Sequence, residues 1–382
     1  MRRTTHQWIK NAKNTATLLD VLPPEPSPLS LRPPQAAAQR KGPGERGKQR
    51  APRLHHFGFP LVLLTIICLL PLSGCNDLGG KKVVYLAHTL PTVHPVHKGM
   101  EVFAKSLRTR SKGKMDVKIF PDGQLGSERE VLELLQIGSI AMTKVSAATM
   151  ANFAPEYKVL GVPYLFRSKD HMFKVLEGST GKGILEAGSD YLLKGLCFYD
   201  AGSRSFYTVK KPVKTPDDLE GMKIRVMNHQ MSVDMVNEMG ASATPMAYGE
   251  LYSALEQGVV DGAENNPPSF VTSGHFEIAK YYTLDEHSSV PDVLVMGTEY
   301  WKTLNAQEQK WVMKAAFESA QAQKVFWAEN VEECMTKLAA AGVEIYKPEK
   351  SLFAESSKGV LAEFSEDPVM KKLVEAILVT SN

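Results

Sequence analysis

Cysteine is scarce in this chain: four among 382 residues, at positions 68, 75, 197 and 334. That is too few for a disulfide scaffold, and their spacing matches no zinc site. Beyond residue 75 the sequence has no glycine-rich phosphate loop, no dinucleotide fingerprint and no G-x-S-x-G elbow. Those absences remove the usual signatures of nucleotide-driven and hydrolytic chemistry. Ser111 and Lys114 fit the short S-x-x-K pattern, but in a charged turn where water would quench a nucleophile. Long hydrophobic runs are missing too. The longest, residues 57–72, is too short for a span of roughly 20 residues but suits a signal-peptide core. A strong charge imbalance is likewise absent, with 45 Lys or Arg against 42 Asp or Glu, a net of +3. Residues 1–74 hold eleven basic and three acidic residues, so they contribute 11 − 3 = +8 and the remainder carries −5. Nothing in that balance argues for nucleic acid.

What is present divides near residue 75. Residues 1–53 combine basic charge with eight prolines and almost no apolar periodicity. Such a segment cannot bury enough surface to offset its ordering entropy. A disordered basic leader is therefore expected over 1–56, followed by a signal-peptide core and processing site over 57–75. Leu72-Ser73-Gly74-Cys75 resembles the lipobox of bacterial lipoproteins, which would make Cys75 an acylation point; an uncut anchor helix is the alternative. A leader this long before a signal peptide is unusual, and translation starting near residue 50 would account for it. With Cys75 acylated, Cys197 and Cys334 are expected to be free, buried thiols.

The rest reads as α/β. VVYLAH (83–88), a helical spacing over 94–111, MDVKIF (from 115), a helix over 127–138 begun by Ser127, and a strand within 139–147 alternate in order. This predicts right-handed crossovers and a mainly parallel sheet. The pattern restarts after Asp200: a capped turn into a strand (215–227), a helix (230–240), a strand (243–247), a helix (248–258) and a strand (259–265). Residues 306–341 contain neither Pro nor Gly. As one helix they would span about 54 Å, enough to brace two domains. Two α/β lobes with a crevice between them are expected, and ligands in such sheets sit at the strands' carboxyl ends.

Arg204, in GSRSFYT, and Arg225, in GMKIRVMN, lie on apolar strands, and Asn265 follows in DGAENNPPS. A guanidinium stays charged and can grip a carboxylate through two parallel bonds. Buried in an apolar strand it needs an anionic partner. That partner is either an internal Asp or Glu, or a bound ligand.

These segments resemble the solute receptors of tripartite ATP-independent periplasmic (TRAP) transporters, of the dicarboxylate-receptor type. The resemblance covers 82–380 and rests on FPDGQLGSEREVLELLQIG (120–138), MTKVSAATMANFAPEYKVLGVPYLF (142–166), LEGMKIRV (219–226), GASATPMAYGELYSALEQGVVDGAENNPPS (240–269) and the long C-terminal helix. It implies a two-lobed, class II-like binding-protein architecture, with lobe I from 82–201 plus 291–330 and lobe II from 202–290 plus 331–382 joined by hinge strands: a hinged trap in which Arg225 clamps the ligand carboxylate, Arg204 supports the same anion and Asn265 adds a hydrogen bond. It also implies membrane subunits driven by an ion gradient as partners, no cofactor, a monomer, and an extracytoplasmic location. Sialate receptors of this family carry Glu where Ser146 stands, which argues against sialate. AHTLPTVHPVHK (87–98), MTKVSAA, ENNPPS and YYTLDEHSSVPDVLV (281–295) look most like receptors for uronates. His88, His94, Glu128, Asn265 and His287 could then serve the sugar hydroxyls.

Other readings stay open. Lys144 could be the second cationic clamp of a C4-dicarboxylate site. His94 and His97 could share a metal or simply start a helix, and Glu128 could only be answering the helix dipole. Asp261 and Glu264 could be a catalytic carboxylate pair or ordinary turn residues. An exported sugar-acid lyase or hydrolase would need His287 or His94 as its base. A ligand-presenting subunit for a sensor kinase would share the site but dock elsewhere. The Trp and Met residues read as core.

Overall fold

The computed structural model describes residues 80–381, so the leader, the signal core and Cys75 lie outside the described residues. Eleven strands form two sheets. The first holds β1 (Lys82–Ala87), β2 (Met115–Phe120), β3 (Met142–Ser146), β4 (Leu193–Tyr199) and β10 (Asp292–Gly297), ordered β2-β1-β3-β10-β4. The second holds β5 (Arg204–Thr208), β6 (Lys223–Val226), β7 (Ser242–Pro245), β8 (Gly262–Asn265), β9 (Tyr281–Ser288) and β11 (Glu344–Tyr346), ordered β11-β9-β5-β8-β6-β7. Each sheet is the centre of one lobe. Both are mixed, which corrects the expectation of a mainly parallel sheet. β1 runs parallel to β2 and β3, but β10 is antiparallel to β3 and β4. The cause is connectivity: β10 re-enters the first lobe from the second, so it arrives from the opposite end.

Local chemistry sets the helices. Ser127 and Glu130 form a reciprocal capping box at the start of helix Glu128–Gln136. His94 caps helix Pro95–Arg110 by accepting from the Val96 N–H, and Pro95 occupies a position where its missing N–H costs nothing. Asn305 and Glu308 cap the 35-residue helix Ala306–Ala340 in the same reciprocal way. In that helix Val312, Ala315, Ala316, Ala320 and Trp327 belong to the core of the first lobe. Cys334 and Leu338, further along, belong to the core of the second. One helix thus serves both lobes.

The long helix also holds a connecting strand. The Gln323 amide is fully buried; it accepts from the Asp200 N–H and donates to the Asp200 carbonyl, both at 2.8 Å. One turn earlier, Ser319 accepts from the Tyr199 hydroxyl at 2.9 Å. Helix Pro95–Arg110 can lie this close because residue 99 is glycine: a Cβ there would come within 2.8 Å of the Gln323 side chain. Three residues after Tyr199, Gly202 turns the chain with φ +58 directly against the Trp327 indole. Cys197 and Cys334 are both free; Cys334 is buried and Cys197 half-buried. No helix of the described residues is long and apolar enough to cross a membrane.

Gln323→Ala strands two backbone groups of Asp200 in a dry interior. We expect a loss of about 2–5 kcal/mol of unfolding free energy, read as a lower urea midpoint at unchanged slope. An unaltered midpoint would show that the amide does not secure the hinge.

Candidate functional site

The carboxyl end of β8 and the residues around β6 open onto a cavity of about 190 Å³, walled by residues of both lobes. Arg225 lies third in β6, in register with Ala263 of β8. Asn265 is the last residue of β8. Arg204 departs from the expected placement at a carboxyl end: it opens β5. Because β5 is antiparallel to β8, that start falls at the same edge of the sheet.

The two arginines are in different electrostatic situations. Arg204 is neutralised within its own sheet, as an internal partner would have it. Its Nε donates to Glu264 Oε2, and its Nη2 donates to Glu264 Oε1 at 2.9 Å and to the Glu264 carbonyl at 2.8 Å. Its Nη1 donates to Asn265 Oδ1 at 3.1 Å. Four of the five guanidinium protons are thereby placed, and one on Nη1 is left for the cavity that Arg204 lines. Asn265 Oδ1 also accepts from the Asn266 N–H, so the Asn265 side chain has only its Nδ2 to offer a guest.

Arg225 has no carboxylate of the described residues within ion-pair distance. Nε and Nη2 both donate to the Met246 carbonyl, at 3.2 and 2.8 Å, and the Tyr248 ring lies 5.9 Å from the guanidinium carbon. The remaining nitrogen, Nη1, is buried without a hydrogen-bond partner. Only 2% of the residue is exposed. Burial pulls its pKa below the usual guanidinium value, with Glu264 opposing, yet a guanidinium keeps its proton. A desolvated cation with an unmet donor, beside a cavity, is chemically suited to an anion.

His287 stands behind Glu264 rather than on the cavity wall, which corrects its assignment as a ligand contact. The imidazole is fully buried between Asp285 Oδ2 at 2.8 Å and Glu264 Oε2 at 3.3 Å. Burial alone would discharge it; the Asp285 charge first, then Glu264, hold its pKa up to about 9. Glu264 in turn resists its own burial, because Arg204 and His287 hold it down to about 2. The chain Arg204–Glu264–His287–Asp285 is an alternating row of charges, and Asp285 Oδ1 ends it on the Phe206 N–H. Neither His287 nor Glu264 is placed to act as a free base. Asp261 is separate, accepting from the Lys223 N–H.

His88 also lies off the cavity. Its Nδ1 accepts from the Leu90 N–H at 3.2 Å, so its Nε2 donates to His97 Nδ1 at 2.9 Å. Burial, reinforced by Lys144, takes its pKa to about 2. His97 is thereby committed to His88 rather than to a metal shared with His94. No cluster of three or more metal-ligating side chains occurs among the described residues. His94 does line the cavity, capping its helix through Nδ1 and donating from Nε2 to Ser269 Oγ at 3.3 Å. Burial keeps it neutral.

On the first lobe's wall, Lys144 is 2% exposed and lies between two carboxylates, 3.3 Å from Glu128 Oε1 and 3.2 Å from Asp292 Oδ2. Burial opposes its charge, but Asp292 and Glu128 prevail and raise its pKa. Glu128 sits at the first position of its helix, as the dipole favours, yet its carboxylate turns back. Oε2 accepts from the Ser146 N–H at 3.1 Å and from Thr149 Oγ1 at 2.7 Å. Sequence reasoning missed Asp292, Tyr248 and Trp327, all of which line the cavity. Asp292 lies inside the quoted SSVPDVLV segment and Tyr248 inside AYGELY, so the segments were available though the residues were not singled out. Trp327 is both core and cavity wall.

The charged row has a pH signature. An imidazole held at about 9 against an ordinary value near 6.5 contributes fully below pH 6.5 and loses that contribution as pH rises through 9. Denaturation from pH 6 to 10 should therefore show declining stability in this window, and His287→Gln should flatten the decline. Equal slopes for both proteins would mean that the imidazole is neutral.

Residues 86–367 match the model of the DctP family, bacterial extracellular solute-binding protein family 7. A solute-binding protein of Chromohalobacter salexigens is 36% identical over 75% of this chain and 86% of its own length. Among solved structures, a TRAP periplasmic solute-binding protein of Bradyrhizobium sp. BTAi1 in complex with D-galacturonate is 41% identical, with a TM-score of 0.76 over 78% of this chain and 99% of that one. One from Pseudomonas putida F1 with bound D-glucuronate is 37% identical, with a TM-score of 0.76 over 78% and 98%. The chain therefore belongs to the DctP family of TRAP-transporter periplasmic solute-binding proteins, which are receptors and not enzymes.

Proposed function

We propose that this protein captures a hexuronate, of the glucuronate or galacturonate kind, and delivers it to the membrane subunits of a TRAP transporter. The observation that carries the reading is the buried, unpartnered Nη1 of Arg225 at the edge of the interlobe cavity. A carboxylate there would accept from Nη1, with the spare Nη1 proton of Arg204 and the Nδ2 of Asn265 beside it. Closing the lobes removes water from this pair, which strengthens it. The uronates bound by the Bradyrhizobium and Pseudomonas receptors are the chemical class that such a clamp and a polar opposite wall would take. A second clamp for a C4-dicarboxylate would have to be Lys144, and that ammonium is held by Glu128 and Asp292. A lipid on Cys75, outside the described residues, would tether the receptor as a monomer at the membrane surface.

Arg225→Ala leaves the ligand carboxylate uncompensated and is expected to cost about 3–5 kcal/mol of binding, measured by titration calorimetry with D-glucuronate and D-galacturonate. Arg225→Lys should also weaken binding, since a point charge cannot reproduce the planar fork. In a thermal-shift panel a true ligand at a hundredfold its Kd adds about 2.7 kcal/mol. Wild-type affinity in Arg225→Ala sinks the clamp. Separately, Cys75→Ser should abolish labelling by a fatty-acid analogue and release the protein from membranes; a labelled variant would place the lipid elsewhere.

A further inference from the structure

The geometry points to Asp292 as the residue that sets ligand class: its free carboxylate oxygen receives sugar hydroxyls and repels a second carboxylate. The inference rests on the uronate reading above and concerns the cavity wall that the first lobe supplies. Asp292 opens β10, 7% exposed, and lines the cavity. Its Oδ2 is tied to Lys144 at 3.2 Å, whereas Oδ1 has no hydrogen-bond donor among the described residues. Glu128, the other carboxylate of the trio, is differently placed. Both of its oxygens are already accepting, from Lys144, the Ser146 N–H and Thr149 Oγ1. The two acids therefore divide the work. Glu128 anchors the Lys144 ammonium to strand β3 and the helix start, and Lys144 fixes Asp292 with one acceptor left over.

The charge of this wall follows by counting. Two carboxylates and one ammonium leave −1, while the arginine wall carries one uncompensated positive charge at Arg225. A uronate matches that polarity end to end: a carboxylate for Arg225, and hydroxyl donors for Asp292 Oδ1, with a remaining Lys144 proton free to donate to the same hydroxyl. A dicarboxylate or aldarate would put its second anion against Asp292 in a desolvated space, where like charges repel far more than in water. Burial and the nearby Glu128 charge already raise the Asp292 pKa despite Lys144 and the more distant Arg204, so a third anion on this wall would meet net repulsion. Such discrimination by an opposing charge, rather than by tighter fit, is a general route to specificity.

The test compares D-galacturonate, galactarate and succinate by calorimetry on wild type, Asp292→Asn and Arg225→Ala. Galactarate keeps the carbon skeleton and adds the second carboxylate, so wild type should bind it at least about a hundredfold more weakly than galacturonate. Asp292→Asn should lose about tenfold or more toward galacturonate, the size of one hydrogen bond to a charged group. It should also narrow the galacturonate-to-galactarate ratio by about tenfold or more. An Asp292→Asn protein that keeps the wild-type ratio overturns the inference, as does a wild type that binds both sugar acids equally. Should the variant fail to fold, galacturonate analogues lacking one hydroxyl decide the matter on wild type: equal affinity for every deoxy analogue overturns it. A wild type that prefers succinate to galacturonate instead defeats the uronate reading itself. Arg225→Ala, which should lose all three ligands without changing their order, keeps the two failures apart.

Discussion

The candidate site depends on two cations being treated unequally. Arg204 and Arg225 lie in one sheet, near enough to influence each other's ionisation, and a single acidic residue, Glu264, sits within bonding distance of Arg204 only. Had Glu264 bridged both, neither guanidinium would lack a carboxylate partner. Instead His287 and Asp285 hold Glu264 on the Arg204 side. Arg225 is left with backbone carbonyl contacts that satisfy hydrogen bonds but not charge. The alternating row is thus a support structure, and its product is one undischarged guanidinium. Burial makes that charge costly while it has no anion beside it.

Much of the architecture was legible because the local signals agree with one another. Ser127 with Glu130, and Asn305 with Glu308, announce helix starts that the structure forms as reciprocal caps. The absence of Pro and Gly over 306–341 foretold a helix whose observed limits are Ala306–Ala340. What the residues could not reveal was direction. β10 runs antiparallel through the middle of the first sheet because of where the chain comes from, and no pattern within DVLVMG encodes that.

The site shows the same division. Arg225, Arg204 and Asn265 stand out because charged or amide side chains in apolar strands demand an explanation, and all three line the cavity. His88 and His287 drew attention for their chemistry, but that chemistry is directed inward, to His97 and to Asp285 with Glu264. A sequence does not say which side of a buried polar group faces the ligand. Asp292 was passed over for the opposite reason. A lone acid after Pro291 looks like the end of a loop, and only the pairing of β10 with β3 brings it to Lys144.

Helix Ala306–Ala340 contributes Val312, Ala316 and Trp327 to one interior and Cys334 and Leu338 to another. A third apolar cluster reaches from Leu132 and Leu160 through Phe206 and Ile224 to Val374 and Ile377, drawing on both halves. Each half keeps an interior of its own, and the long helix and this shared cluster tie the two together. Melting one half would strip buried partners from the other, so the two halves are expected to unfold as a single cooperative unit.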